Sequence, residues 1–424
     1  MSDHASAPAR ALEVLRAFLK LGLTSFGGPV AHIGYFREEF VVRRRWLDDA
    51  AFSDLVGLCQ FLPGPASSQL GFSIGLMRAG FVGGLAAWTG FTLPSAIALT
   101  LFAFGADAAL QGSSAIASVA TGLVHGLKLV AVAIVAQAVW GMARTLCPDL
   151  RRATIAILAA VAVSARVSSM MQVAVLLCGG LLGIWFCRAP APASTAAQVA
   201  PASSLAPASR LAPASRLAPS VSRAVGSASL AVFALLLFGL PLLRGWHAAA
   251  LFDAFYRSGA LVFGGGHVVL PLLREAFVAS GWVGDDVFLA GYGAAQAVPG
   301  PLFTFASYLG AVASPASHRV GGALLGLAGI FLPGMLILLA ALPFWDQFRT
   351  QADAQAFMRG VNAAVVGLLG AALYHPICTG SIKTPADIGV ALMGFVLLTK
   401  WRAPPILIVT LGAAAGVALT RPWT

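Results

Sequence analysis

Two short motifs occur twice in this chain, and both carry groups suited to holding an anion. Ser25-Phe26-Gly27-Gly28-Pro29 is matched by Val262-Phe263-Gly264-Gly265-Gly266, and Gln60-Phe61-Leu62-Pro63-Gly64-Pro65 by Gln296-Ala297-Val298-Pro299-Gly300-Pro301. Paired glycines permit a sharp turn or a close backbone approach. Pro29, Pro65 and Pro301 suit the first position of a new helix, where the missing N–H is free anyway. Each motif therefore reads as the start of a half-helix, and helix starts present unpaired N–H donors with a partial positive charge. Ser25, His32, Gln60, Ser67, Ser68 and Gln69 surround the first copies, and His267, Gln296, Thr304 and Ser307 the second. All can donate hydrogen bonds to an oxyanion, with Gly27, Gly28, Gly64, Gly264, Gly265 and Gly300 adding backbone approach. Lys20 and Arg257 each stand six residues before a Phe-Gly-Gly and offer positive charge at the rim or the site. His32 and His267 sit at different offsets from that motif and are not symmetry mates. The competing reading of the glycines and prolines is close helix packing; their repetition in register favours the anion. For Lys20 and Arg257 the competing reading is snorkelling to lipid headgroups, and His125 and His375 are read as packed or interfacial.

The elements that must position these groups are apolar. Of 424 residues, 58% are hydrophobic and 10% charged, against about 25% charged in soluble domains. Apolar runs near 83–104, 115–142, 170–187 and 385–399 approach the length of membrane helices. The fold class is therefore an all-α polytopic membrane protein. The net charge of +11 does not indicate a nucleic-acid partner, because the basic residues sit in short loops and one linker. Met1–Arg10 lacks the apolar core of a signal peptide, so the first residues are expected in the cytoplasm. The five cysteines show no metal-ligand spacing, no P-loop is present, and no nucleophile–base or paired-acid motif suggests an enzyme. No cofactor or metal is expected.

The chain divides into a first repeat over 1–188, an Ala/Pro/Ser linker over 189–228 expected to be disordered, a connecting helix over 229–245 and a second repeat over 246–424. The correspondence extends through Lys20 with Arg257, Arg37-Glu38 with Arg274-Glu275, Trp46 with Trp282, Phe52 with Phe288, Leu93-Pro94 with Leu332-Pro333 and Gly122 with Gly360. Arg37, Arg43, Arg44 and Arg45 crowd one loop whose second-half partner holds Arg274 beside Asp285 and Asp286. Arg144, Arg151 and Arg152 face a counterpart loop holding Lys383. Since basic loops face the cytoplasm, the halves are expected as an inverted-topology repeat. In this reading 11–35, 55–77, 248–272 and 288–313 are broken or re-entrant segments, with 9 to 13 spans in all. Arg37, Glu38, Arg274 and Glu275 are candidates for gating or helix-end ion pairs. Lys128, a charge inside an apolar span, is a coupling candidate because such a charge is costly.

At these residues the sequence resembles the chromate ion transporter family in its long, two-domain form. The resemblance rests on Ser25–His32, Arg43–Trp46, Leu58–Gln69, Phe263–Pro271 and Gly291–Gly310, and Asn362 within Gly360–Gly367 also matches the pattern. It implies secondary efflux of chromate across the bacterial inner membrane and chromate resistance, and it adds Asn362 to the gating or coupling candidates. Expected partners are chromate, with sulfate as a competitor, and the lipid bilayer; a homodimer is compatible with this reading.

Overall fold

The computed structural model describes residues 7–26, 28–110, 114–165, 169–188, 221–263, 266–345 and 351–420. Gly27, Gly264, Gly265 and linker residues 189–220 lie outside the described set. Among the described residues the regular structure is entirely helical. The first half runs α1 (Ala7–Thr24), α2 (Gly28–Arg37), α3 (Asp49–Phe61), α4 (Ala66–Leu110), α5 (Ser114–Leu146), α6 (Leu150–Ala165) and α7 (Ser169–Phe186). After α8 (Arg223–Gly239) the second half repeats the plan: α9 (His247–Ala260), α10 (Val269–Phe277), α11 (Asp285–Ala295), α12 (Phe305–Val312), α13 (Arg319–Ala341), α14 (Ala352–Ala372), α15 (Pro385–Thr399) and α16 (Pro405–Thr420). Among the described residues, five segments are by length and composition apolar enough to cross a membrane: 66–105, 119–146, 223–243, 316–344 and 352–381.

Helix boundaries fall where the backbone chemistry demands. Helical geometry in α4 breaks at Ala79 and Gly80, where Gly80 takes φ +65°, so α4 is two helices folded into a hairpin. Glycine pairs line the hairpin: a Cβ on Gly83 would strike Ala79 Cβ at 2.7 Å, and one on Gly75 would meet Ala87 Cβ at 2.8 Å. The prolines differ in detail from expectation. Pro29 is the second residue of α2, but Pro65 precedes α4, and Pro301 caps a short 3-10 turn, Leu302–Thr304, in extended conformation. Ser222 caps α8 by accepting from Val225 N, so the helix starts at Arg223, inside the stretch expected to be linker.

The repeat is legible in contacts as well as in sequence. Arg37 pairs with Asp49 at 2.8 Å, and Arg274 with the equivalent Asp285 at 2.9 Å. The aromatic column Phe18–Phe40–Trp46, with centroids 4.8 and 4.9 Å apart, recurs as Phe255–Phe277–Trp282 at 4.5 and 5.6 Å. Arg45 and Gly281, each just before its tryptophan, both take positive φ. One expected match shifts by a helical turn. Gly360 packs against Gly179 and Gly183 of α7, with Ala356 O also at Gly183, while Gly126 packs against Gly412 and Gly416 of α16, with Gly122 O also at Gly416, so Gly126 is the match of Gly360. Small residues let these backbones touch. The corrected register makes Lys128 and Asn362 equivalent positions.

The same contacts show that the halves point in opposite directions and are interlocked. At one end Arg151 Nη1 donates to Phe186 O at 3.0 Å, joining the start of α6 to the end of α7. Arg188 pairs with Asp353 at 2.7 Å and Arg359 donates to Cys187 O at 2.7 Å, which puts the start of α14 at that end too. The first turns of α5 lie at the other end, about 50 Å away for its 33 residues. Further along α5, His125 meets Asp387 of α15 at 2.7 Å, and Lys128 meets Asp286 of α11 at 2.6 Å. Equivalent helices α5 and α14 thus begin at opposite ends, and each packs on the last helix pair of the other half.

Two glycines hold the centre. Gly64 takes φ +120° and Gly300 φ +100°, conformations that a side chain rarely adopts. A Cβ on Gly64 would lie 2.9 Å from Gly334 Cα, and one on Gly300 2.9 Å from Ser95 Oγ, the equivalent position. Strained backbone costs about 1–3 kcal/mol, and overpacking costs a similar amount. Gly64→Ala and Gly300→Ala should each lower the melting temperature of the purified protein in detergent. Gly34→Ala in α2, where nothing lies within 4 Å of the added carbon, should not.

Candidate functional site

The four helix breaks meet by exchanging backbone hydrogen bonds between halves. Gly64 N–H donates to Val262 O at 2.7 Å, and Gly300 N–H donates to Ser25 O at 2.9 Å. Val262 and Ser25 are equivalent residues, as are Gly64 and Gly300, so each half's Pro-Gly-Pro is pinned to the other half's Phe-Gly-Gly. A Cβ on Gly266 would stand 3.5 Å from Pro29 Cγ and from Leu302 Cδ2, so the two Phe-Gly-Gly breaks also approach each other.

Polar side chains gather at this junction. Ser67, Ser68 and Gln69 occupy the first turn of α4, and His32 lies on α2; all four are buried. His32 Nδ1 is 3.4 Å from Ser67 Oγ, and its ring stands edge-on to Phe91 with centroids 5.1 Å apart. The remaining donors have no partner within the protein: Ser25 Oγ, His32 Nε2, Ser68 Oγ, Thr92 Oγ1 and Gln296 Nε2 are buried and unbonded. An unsatisfied buried polar group costs about 1–3 kcal/mol, so such donors along the broken segments favour an occupant that accepts hydrogen bonds.

Other candidates of the motif serve the scaffold. Gln69 Nε2 donates to Pro63 O and to Gly334 O, both at 2.9 Å, and clasps the first half's break to α13. Thr304 Oγ1 donates to Pro301 O at 2.7 Å, and Ser307 Oγ lies 2.8 Å from Thr304 O and 3.2 Å from Ala96 O. His267 Nδ1 is 2.7 Å from Tyr292 Oη. Gln60 is exposed, unlike the half-buried Gln296.

A sequence model of the chromate transporter family matches residues 12–184 and 249–417, the two repeats described above. The chain belongs to this family. It is 30% identical over 416 residues to a chromate transport protein of Pseudomonas aeruginosa, covering 96% of this chain and 91% of that one. It is 25% identical to a chromate transport protein of Cupriavidus metallidurans, covering 97% and 94%, and 26% identical to a probable chromate transport protein of Synechococcus elongatus, covering 97% and 96%. No solved structure matches the chain.

Several charges that the family resemblance or the sequence brought forward stand in ion pairs. Lys20 is 58% exposed, with its ammonium 4.0 Å from Glu39. Arg257 bonds Asp253, a buried carboxylate it shares with Arg244, and donates to Leu237 O of α8. The dipeptides Arg37-Glu38 and Arg274-Glu275 do not act as units: the arginines bond Asp49 and Asp285, Glu38 bonds Arg43 at 3.1 Å, and Glu275 is half-buried on α10. A carboxylate beyond the next turn is the better-placed partner because adjacent side chains diverge on a helix. Lys128 bridges the halves through Asp286, and Asn362, its equivalent on α14, keeps a buried unbonded Oδ1. Thr92, Tyr292 and Asp253 were not singled out in the sequence. Thr92, just ahead of the repeated Leu-Pro pair, was the one with a signal. Among the described residues no group of three His, Cys, Asp or Glu is placed to hold a metal.

The Lys128–Asp286 pair is asymmetric, with side-chain exposures of 9% and 73%. Removing the exposed partner strands a buried charge, whereas removing the lysine leaves a carboxylate that water can reach. Asp286→Asn should therefore lower thermal stability more than Lys128→Met, and the double variant should recover part of the loss. Melting curves of the three variants check this.

Proposed function

We propose that this protein is a secondary exporter of chromate in the bacterial inner membrane, and that it confers chromate resistance. The observation that carries the reading is the set of five buried, unbonded donors at the junction of the helix breaks. Chromate is a tetrahedral dianion with four oxygen acceptors, and neutral hydroxyl, amide and imidazole N–H groups can replace its water. Helix starts beside Ser25 and Gly300 add favourable dipoles. Holding a dianion by dipoles, with no lysine or arginine in the donor set, favours release as well as capture. Membership in the chromate transporter family, and relatives named chromate transport proteins, supply the identity of the anion. Sulfate shares its shape and charge and is the expected competitor.

Direction follows from charge. Arg144, Arg151, Arg152 and Arg188 lie at the end where α5 and α7 finish, which supports reading that end as cytoplasmic. A dianion moving outward through 100 mV gains about 4.6 kcal/mol, at about 2.3 per charge. Each tenfold gradient requires about 1.4 kcal/mol, so membrane potential alone sustains substantial exclusion. His32, buried with one ring nitrogen unbonded, is the group best placed to couple a proton to the anion.

Inverted vesicles, energised positive inside, should take up chromate. Gln296→Ala and Ser25→Ala should reduce the initial rate about tenfold at equal membrane content, in line with about 1.4 kcal/mol for a lost hydrogen bond to a charged group. His32→Gln, which retains a donor, should lose less than His32→Ala. Wild-type rates in every variant would remove this junction from the pathway.

A further inference from the structure

A second site lies away from the helix breaks, where α5 of the first half meets α15 and α16 of the second. It has two parts, lined by residues that are neighbours in the chain. The first is an apolar groove of about 430 Å³ lined by residues including Leu129, Ala133, Gly389, Met393, Leu411 and Gly412. The second is a polar pocket of about 390 Å³ holding His125, Lys128, Asp286, Lys383, Thr384 and Asp387. Lys128 is followed by the groove residue Leu129, and Asp387 is flanked by the groove residue Ala386, so the two parts adjoin along α5 and at the start of α15.

The polar part runs from helix ends inward to His125 and Lys128, in the fourth and fifth turns of α5. Asp286 opens α11, Lys383 and Thr384 precede α15, and Leu419 ends α16. The ends of the apolar helices α15 and α16 are where such helices reach the headgroup region. From there the groove follows α15 from Ala386 to Leu397, about 16 Å at 1.5 Å per residue. That depth is about one leaflet of a hydrocarbon core roughly 30 Å thick. Met393 and Leu411 are exposed along it, and a Cβ on Gly389 would meet nothing within 4 Å, so the groove is open at its middle.

The charges in the pocket have two signs. Lys383 is exposed and donates one hydrogen bond, to Thr379 O at 3.2 Å, from an ammonium with three donors. Asp286, although bonded to Lys128, remains 73% exposed. Asp387 is turned inward, taken up by His125 and by the N–H groups of Lys383 and Thr384. An occupant therefore meets a cation and an anion side by side, above a slot for one apolar chain.

The geometry points to a structural phospholipid at this place, one whose headgroup carries both a phosphate and a primary amine, as phosphatidylethanolamine does. Its phosphate lies against Lys383 and Lys128, its amine against Asp286, and one acyl chain fills the groove. A purely anionic headgroup would meet Asp286 unfavourably, and a quaternary amine would offer it no N–H. The lipid bridges the two halves at a seam that also contains the Lys128–Asp286 and His125–Asp387 pairs.

Native mass spectrometry of the full-length protein in detergent, titrated with phosphatidylethanolamine, phosphatidylglycerol or phosphatidylcholine, tests this. The wild type should retain one phosphatidylethanolamine at least about tenfold more tightly than either other lipid. Gly389→Leu, which fills the groove, and Lys383→Gln, which removes the phosphate partner, should each abolish that preference. Met393→Trp at an exposed groove position gives the same test should Gly389→Leu not fold. Equal retention of the three lipids by wild type would overturn the proposal, as would an unchanged preference in the folded variants.

Discussion

Everything at the centre of this protein depends on one exchange of hydrogen bonds. Gly64 N–H to Val262 O and Gly300 N–H to Ser25 O are the same bond made twice, in opposite senses, across the two halves. Interrupted helices expose backbone groups that a bilayer cannot satisfy. Here each half satisfies part of the interruption of the other. Neither break is therefore complete alone, and the positive φ at Gly64 and Gly300 is what allows the approach. The interlock is repeated outward, where α5 and α14 each pack on the last two helices of the opposite half through glycine contacts.

This arrangement gives the site its chemistry. Charged side chains near the breaks are drawn into pairs with carboxylates: Arg257 with Asp253 and Arg37 with Asp49. What remains at the junction is neutral: two serines, a threonine, a glutamine amide and an imidazole nitrogen, all buried without a partner. Donors of that kind replace the hydration of an oxyanion without fixing it in a deep well. A carrier has to release what it binds, and a family that moves chromate is well served by such a site.

Much of this was legible in the sequence because the chemistry involved is local. Glycine and proline break helices through their own backbones, so Phe-Gly-Gly and Pro-Gly-Pro announce the breaks without reference to the fold. The asymmetry of loop arginines announced the inversion for a similar reason, since each charge answers to the nearest face of the membrane. Partner choice was not legible. Lys128 finds Asp286 at a separation of 158 residues, and Gln69 reaches Gly334 O across 265. The register of α14 also escaped, because Gly122 and Gly126 are one turn apart on the same face and only packing against α16 distinguishes them. Lys20 and Arg257 matched in sequence yet serve different carboxylates, Glu39 and Asp253, because α8 supplies surroundings that exist in one half alone.

The central claim is that a single oxyanion sits among the unbonded donors where the breaks meet. Chromium scatters anomalously, so diffraction at its absorption edge from crystals grown with chromate locates the ion without bias from the protein. The account predicts one chromium peak within about 4 Å of His32 Nε2 and Gln296 Nε2, the reach of one oxygen plus one hydrogen bond. A peak in the Lys128–Asp286 pocket, with the junction of the breaks empty, would contradict it.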